Sequence, residues 1–135
     1  MGSPNLPPAP GTMPPDSTET LRRRLLSYGG TAVISRYDPD VPAILERGRL
    51  FRSWRIRMRP GRPSGCHANI AWLYKEDPTI QVCTGYALTV DDGLWRQHSW
   101  GFDGRHVLET TVRRSLYFGM VLTPEEAEVF AAENP

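Results

Sequence analysis

Three residues of this 135-residue chain carry side chains suited to nucleophilic acyl chemistry: Cys66, His98 and Glu109. A thiolate attacks carbonyl carbon, an imidazole takes and returns the proton near neutrality, and a carboxylate holds the imidazole in one tautomer. Two of the three are brought together by a hairpin signal. Residues 95–100 and 106–111 are β-prone runs on either side of Asp103-Gly104. With Asp103-Gly104 as a two-residue loop, Phe102 pairs with Arg105 and His98 stands directly opposite Glu109. Opposed residues of an antiparallel pair share a face, with Cβ atoms about 4.5–5.5 Å apart.

The nucleophile needs a different element. Pro63-Ser64-Gly65 ends one segment, and Ile70, Leu73 and Tyr74 then follow Cys66 at helical spacing. Ser64 is the expected N-cap, which puts Cys66 in the first helical turn. Free backbone N–H groups and the positive end of the helix dipole favour a thiolate there and can bind an oxyanion. Asn69, about one turn on, and Gln97 are candidates for a second oxyanion donor. Gln97 points away from His98 on an ideal strand and would need a bulge. His67 lies about 100° round the helix from Cys66 and is expected on the surface or the substrate side.

The remaining elements must hold these two in register. Residues 18–28 read as a helix ended by Gly29-Gly30, and residues 31–35 as a short strand. Asp40 is expected to cap a short helix ending at Gly48. Residues 51–59 alternate, with Trp54, Ile56 and Met58 on one face and Arg55, Arg57 and Arg59 on the other. Residues 79–88 read as a strand with Val82, Thr84, Tyr86 and Leu88 on one face and the small Cys83, Gly85 and Ala87 on the other. Residues 115–122 form a further apolar strand. Thr123-Pro124-Glu125-Glu126 is a capping box that opens a terminal helix. The expected fold class is α+β, an antiparallel sheet packed against a nucleophile-bearing helix. Six of the first fifteen residues are proline, so residues 1–16 read as a proline-rich tail, with one domain over 17–135.

Charge is uneven. Residues 1–62 hold eleven Arg against five acids, whereas residues 63–135 hold five Lys and Arg against ten acids. The basic excess sits on the 51–59 strand, which leaves a second reading open: a non-enzymatic module that engages an anionic partner through Arg55, Arg57 and Arg59. No nucleic-acid motif accompanies these arginines, so nucleic acid is not the expected partner. Two cysteines do not make a disulfide framework, and no run is apolar and long enough for a membrane span; a cytoplasmic setting is expected. Cys66, His67, His98 and Glu109 are zinc-ligand types, but paired ligand spacings are lacking and neighbouring Cys-His side chains diverge on a helix. Neither metal nor cofactor is expected.

The order of Cys66, then Cys83-Thr84-Gly85-Tyr86-Ala87-Leu88, then His98-Ser99-Trp100, then Val107-Leu108-Glu109-Thr110-Thr111 resembles the core of the transglutaminase-like branch of the papain-like cysteine enzymes. The resemblance spans roughly residues 63–112. It implies a nucleophile on a helix and the His and acid on adjacent antiparallel strands. It implies that Cys66 is the nucleophile, His98 the general base and acid, and Glu109 the orienting carboxylate. Glu replaces the more usual Asp, and His67 replaces the aromatic residue that commonly follows the Cys. The implied activity is a cysteine-dependent hydrolase or acyl transferase acting on a peptide or isopeptide amide. A peptide or protein is then the substrate, and the proline-rich tail is a candidate docking segment for a partner protein.

Overall fold

The computed structural model describes residues 15–34, 36–52 and 55–135. The N-terminal tail through residue 14 and Trp54 lie outside the described residues. Among the described residues, four helices and seven strands follow in the order α1 (Pro15–Tyr28), β1 (Ala32–Val33), α2 (Val41–Arg47), β2 (Arg49–Arg52), β3 (Ile56–Met58), α3 (Cys66–Glu76), β4 (Gln81–Thr89), β5 (Leu94–Phe102), β6 (Val107–Glu109), β7 (Leu116–Val121) and α4 (Pro124–Glu133). The fold is a mixed α+β architecture. The sheet runs β2-β7-β4-β5-β6-β3, with β1 added on β5.

Several boundaries differ from expectation for identifiable reasons. The first helix begins at Pro15, inside the expected tail, because proline at a first helical position sacrifices no hydrogen bond. The basic 51–59 segment is two strands rather than one. β2 pairs antiparallel with β7, and β3 pairs parallel with β6 at the opposite edge of the sheet. Alternation alone does not show that a chain changes partner midway. The sheet is accordingly not wholly antiparallel, since β1–β5 and β3–β6 are parallel. Asp40 occupies the N-cap of α2 without a side-chain cap bond. The capping box at α4 forms as its sequence predicts: the Glu126 N–H donates to the Thr123 hydroxyl, and the Thr123 N–H donates to the Glu126 carboxylate.

β4 is buried on both faces, because the helices cover one face and the curled sheet covers the other. On the helical face, Leu21, Leu25, Val41 and Ile44 of α1 and α2 pack on Tyr86, Leu88, Trp95 and Phe118. Beside them, α3 and α4 pack on Val82 and Leu108. The other face carries Phe51, Cys83, Ala87, Trp100, Val107 and Tyr117. No helix lies in that group. Phe51 of β2 instead meets the Trp100 and Phe102 rings of β5 edge-on, at 5.6 and 5.1 Å between centroids. β2 and β5 are not neighbours in the sheet, so this contact requires the sheet to curl on itself. Burying an aromatic ring this completely contributes about 1.5–3 kcal/mol, which supplies the drive to curl.

The β5 strand has two different edges. One pairs with β4 along its whole length. The other pairs with β1 only at Leu94 and Trp95 and with β6 only at Gly101 and Phe102. Among the described residues, the middle of that edge has no strand partner, and the N-terminus of α3 packs there.

Candidate active site

Cys66 is the first residue of α3. The N-cap is Gly65, not Ser64, and no side chain caps the helix. Ser64 instead takes a left-handed conformation, φ +59°, and turns the chain into the helix. The loop before it is stapled down. The Gly65 N–H donates to the Arg62 carbonyl (3.2 Å), the Arg62 N–H to Asn69 Oδ1 (3.0 Å), and Asn69 Nδ2 to the Arg62 carbonyl (2.8 Å). Asn69 is therefore a loop anchor. The first backbone bond into α3 runs from the Asn69 N–H to the Gly65 carbonyl, and the Cys66 N–H precedes it.

His98 lies on β5 and Glu109 at the end of β6, at 2% and 0% exposure. His98 Nε2 is 2.8 Å from Glu109 Oε1. The Cys66 thiol lies near enough to the imidazole and to the Ser99 backbone N–H for both to act on its charge. With Nε2 on the carboxylate, Nδ1 is the nitrogen left for the thiol. The Ser99 N–H is available because it belongs to the unpaired stretch of the β5 edge. The structure thus brings Cys66, His98 and Glu109 together, with a hydrogen bond between the last two and the thiol electrostatically coupled to the imidazole.

The hairpin that joins the last two is not the expected one. Gly101 pairs with Leu108 and Phe102 with Val107, so the loop is Asp103–His106 and the register is shifted by two residues. Asp103 causes the shift. Its Oδ1 accepts from the N–H groups of Arg105 (2.9 Å) and His106 (2.6 Å), and Gly104 takes φ +95°. A shift of two preserves the face of every side chain, so Glu109 still points to the side of the sheet that carries His98.

Charges within the chain reinforce one another. Burial alone would raise the Cys66 thiol, but the His98 hydrogen bond and positive charge, with the Ser99 N–H, leave it below its ordinary value. Burial alone would lower His98; its bonds to Cys66 and Glu109 reverse that and raise it. Burial works against the Glu109 charge as well, yet the His98 contact and the Thr111 and Tyr117 hydrogen bonds hold its carboxyl below the usual range. All three directions favour a thiolate–imidazolium pair backed by a carboxylate.

Four further residues support the site. Tyr117 donates its hydroxyl to Glu109 Oε1 (2.7 Å), and Thr111 donates its N–H and hydroxyl to Oε2 (2.9 and 3.0 Å). Trp100 stacks near the His98 ring, 6.1 Å away at 22°. His67 Nδ1 sits 2.6 Å from Ser99 Oγ, which donates to Thr84 Oγ1. His67 is thus half-buried and engaged, not a surface residue; burial first, then the neighbouring His98 charge, lowers its pKa. Thr111, two residues beyond Glu109, and Trp100, two residues beyond His98 on the same strand face, carried a local signal; Tyr117 did not. Gln97 is exposed and faces away from His98, as strand alternation predicts.

The arginines of the expected basic strand separate. Arg55 lies beside a cleft of about 240 Å³ with Arg49, Arg52 and Arg105, whereas Arg59 lines a larger one of about 500 Å³ next to α3. Arg57 is exposed on β3. Among the described residues, no three of His, Cys, Asp and Glu are grouped to hold a metal ion. Likewise, no described helix is long and apolar enough to cross a membrane.

No protein-family model matches the chain, and neither do any of the curated proteins or solved structures compared with it.

Proposed function

We propose that the chain is a cysteine-dependent acyl-transfer enzyme acting on an amide, with Cys66 as nucleophile, His98 as general base and acid, and Glu109 as the group that orients His98. The observation that carries this reading is the buried His98–Glu109 hydrogen bond on the β5–β6 hairpin with the Cys66 thiol, at the start of a helix more than thirty residues earlier, coupled to the same imidazole. Resemblance to the papain-like and transglutaminase-like enzymes in the order of these residues supports it. A structural histidine would need a partner, but not a half-accessible thiol on its second nitrogen.

In this mechanism the Cys66 thiolate attacks the amide carbonyl and forms a C–S bond. The carbonyl oxygen takes the electron pair and is met by the Cys66 N–H at the start of α3. His98 gives its proton to the departing amine as the C–N bond breaks. A water or a second amine then attacks the thioester, gives its proton to His98, and releases the acyl group with the thiolate restored. Glu109 remains ionised throughout and stabilises the imidazolium.

The test is the pH dependence of Cys66 alkylation by iodoacetamide in the intact protein and in His98→Gln, which keeps a polar side chain against Glu109. A thiol titrating well below about 8.5, the free-cysteine value, and returning toward it in the variant supports the reading. Equal, ordinary reactivity in both proteins overturns it.

A further inference from the structure

The cleft of about 500 Å³ beside α3 has no part in the chemistry above, yet it adjoins it on two sides. Thr110, which lines it, directly follows Glu109. Arg62, which also lines it, supplies the carbonyl that holds Gly65, the residue before Cys66. On a helix of about 100° per residue, Asn69 and Leu73 project within about 60° of Cys66. Both line the cleft, so it runs along α3 on the flank of the thiol.

Its walls have a definite chemistry. Arg59 and Arg62 are exposed at its rim; no Asp or Glu side chain lines it, and Pro135, the last residue described, lines it as well. Trp72 forms a wall with 60% of its surface exposed, although the other two described tryptophans, Trp95 and Trp100, are fully buried. The rim is also rigid. Besides the Arg62–Asn69 bonds, the Arg59 N–H donates to the Glu109 carbonyl (2.7 Å) and the Gly61 N–H to the Thr110 carbonyl (2.8 Å). A preformed cleft of this size, part apolar and part cationic, has the properties of a ligand site.

We propose that this cleft is a substrate subsite for an acidic peptide segment, its carboxylate held by Arg59 and Arg62 and a neighbouring apolar side chain laid on Trp72. As a subsite it rests on the acyl-transfer reading, because that reading puts the scissile amide at Cys66. As a binding site it stands by itself.

The probes are acetyl-Glu-Phe-amide and acetyl-Gln-Phe-amide, which differ by one carboxylate. They are titrated by NMR into Cys66→Ala protein, which keeps the cleft and lacks the thiol. The expected result is a shift of the Trp72 indole N–H, at least about tenfold tighter binding of the Glu peptide at low salt, and loss of that preference in Arg59→Gln/Arg62→Gln. Both arginines are exposed, so the variant tests binding rather than folding. Equal binding of the two peptides, no perturbation at Trp72, or a preference that survives the double variant overturns the proposal. Alkylation of Cys66 in the unmodified chain separates the two readings: an ordinary thiol with intact peptide preference removes the enzyme and leaves the site.

Discussion

Glu109 reaches His98 along the diagonal of the β5–β6 ladder. With Gly101 opposite Leu108, continuing the register places Trp100 opposite Glu109, and His98 is two residues further along. Diagonal neighbours are about 7–8 Å apart, yet the side chains meet at 2.8 Å. The long Glu side chain spans this offset, and the Tyr117 and Thr111 donors hold it extended. The choice of Glu over Asp follows from the register.

Glu109→Asp therefore withdraws the carboxylate from His98 without removing the charge. The expected outcome is a rise of about one unit in the apparent pKa of Cys66, which is roughly tenfold in thiolate fraction on the acid side. Alkylation rates across the pH range measure it; an unchanged profile means that Glu109 does not act through His98.

The directions of the Cys66 and His98 shifts fix the shape of the activity profile. The lowered thiol keeps its charge to a lower pH than an ordinary cysteine, and the raised imidazole keeps its proton to a higher pH than an ordinary histidine. Both shifts favour the ion pair. A bell-shaped profile of kcat/KM is expected, and Glu109→Gln should pull in its alkaline limb, because the carboxylate helps Cys66 to raise His98.

Tyr117→Phe removes a buried donor to a charged acceptor, a loss of about 1.5–3 kcal/mol. The sign with pH is fixed by Glu109, whose pKa is lowered in the fold from an ordinary 4.5. Its contribution is complete above that value and disappears as pH falls through the lowered one. Urea unfolding should show the full difference between wild type and variant near neutrality and a smaller one in acid.

Gly119→Ala tests the support beneath the imidazole. A Cβ there would press on the Thr84 carbonyl and come within 2.7 Å of Trp100 Cη2. Backbone cannot yield cheaply, so a loss of about 1–3 kcal/mol is expected. The melting temperature reads the loss, and the His98 ring resonances read the displaced Trp100.

Arg47 clamps α2 to α4. Its guanidinium donates to both Glu126 carboxylate oxygens (2.9 and 2.8 Å) and to the Val121 carbonyl (2.8 Å). Arg47 first, then the capping-box N–H, holds the Glu126 carboxyl down to about 2. The pair is solvent-exposed, so Arg47→Ala should cost about 0.2–1 kcal/mol at neutral pH. That difference should fade as pH falls from 4.5 toward 2, which paired denaturation curves would show.

The sequence by itself determined what is local. Helical spacing after Pro63-Ser64-Gly65 places Cys66 at a helix start, strand alternation puts His98 and Glu109 on one face, and the Thr123–Glu126 capping box opens α4. Each depends on neighbours within a few residues, where backbone geometry dictates the outcome. The register error at Asp103 was harmless for the same reason, since an even shift leaves faces unchanged. Only the tertiary structure decided the rest. That α3 docks in the unpaired stretch of the β5 edge, that Tyr117 closes on Glu109, and that the 51–59 segment splits between opposite edges of one sheet all depend on which strands pair. Pairing is settled by burial of Trp95, Trp100 and Phe118 across the whole chain, and that long-range term leaves no local pattern to read.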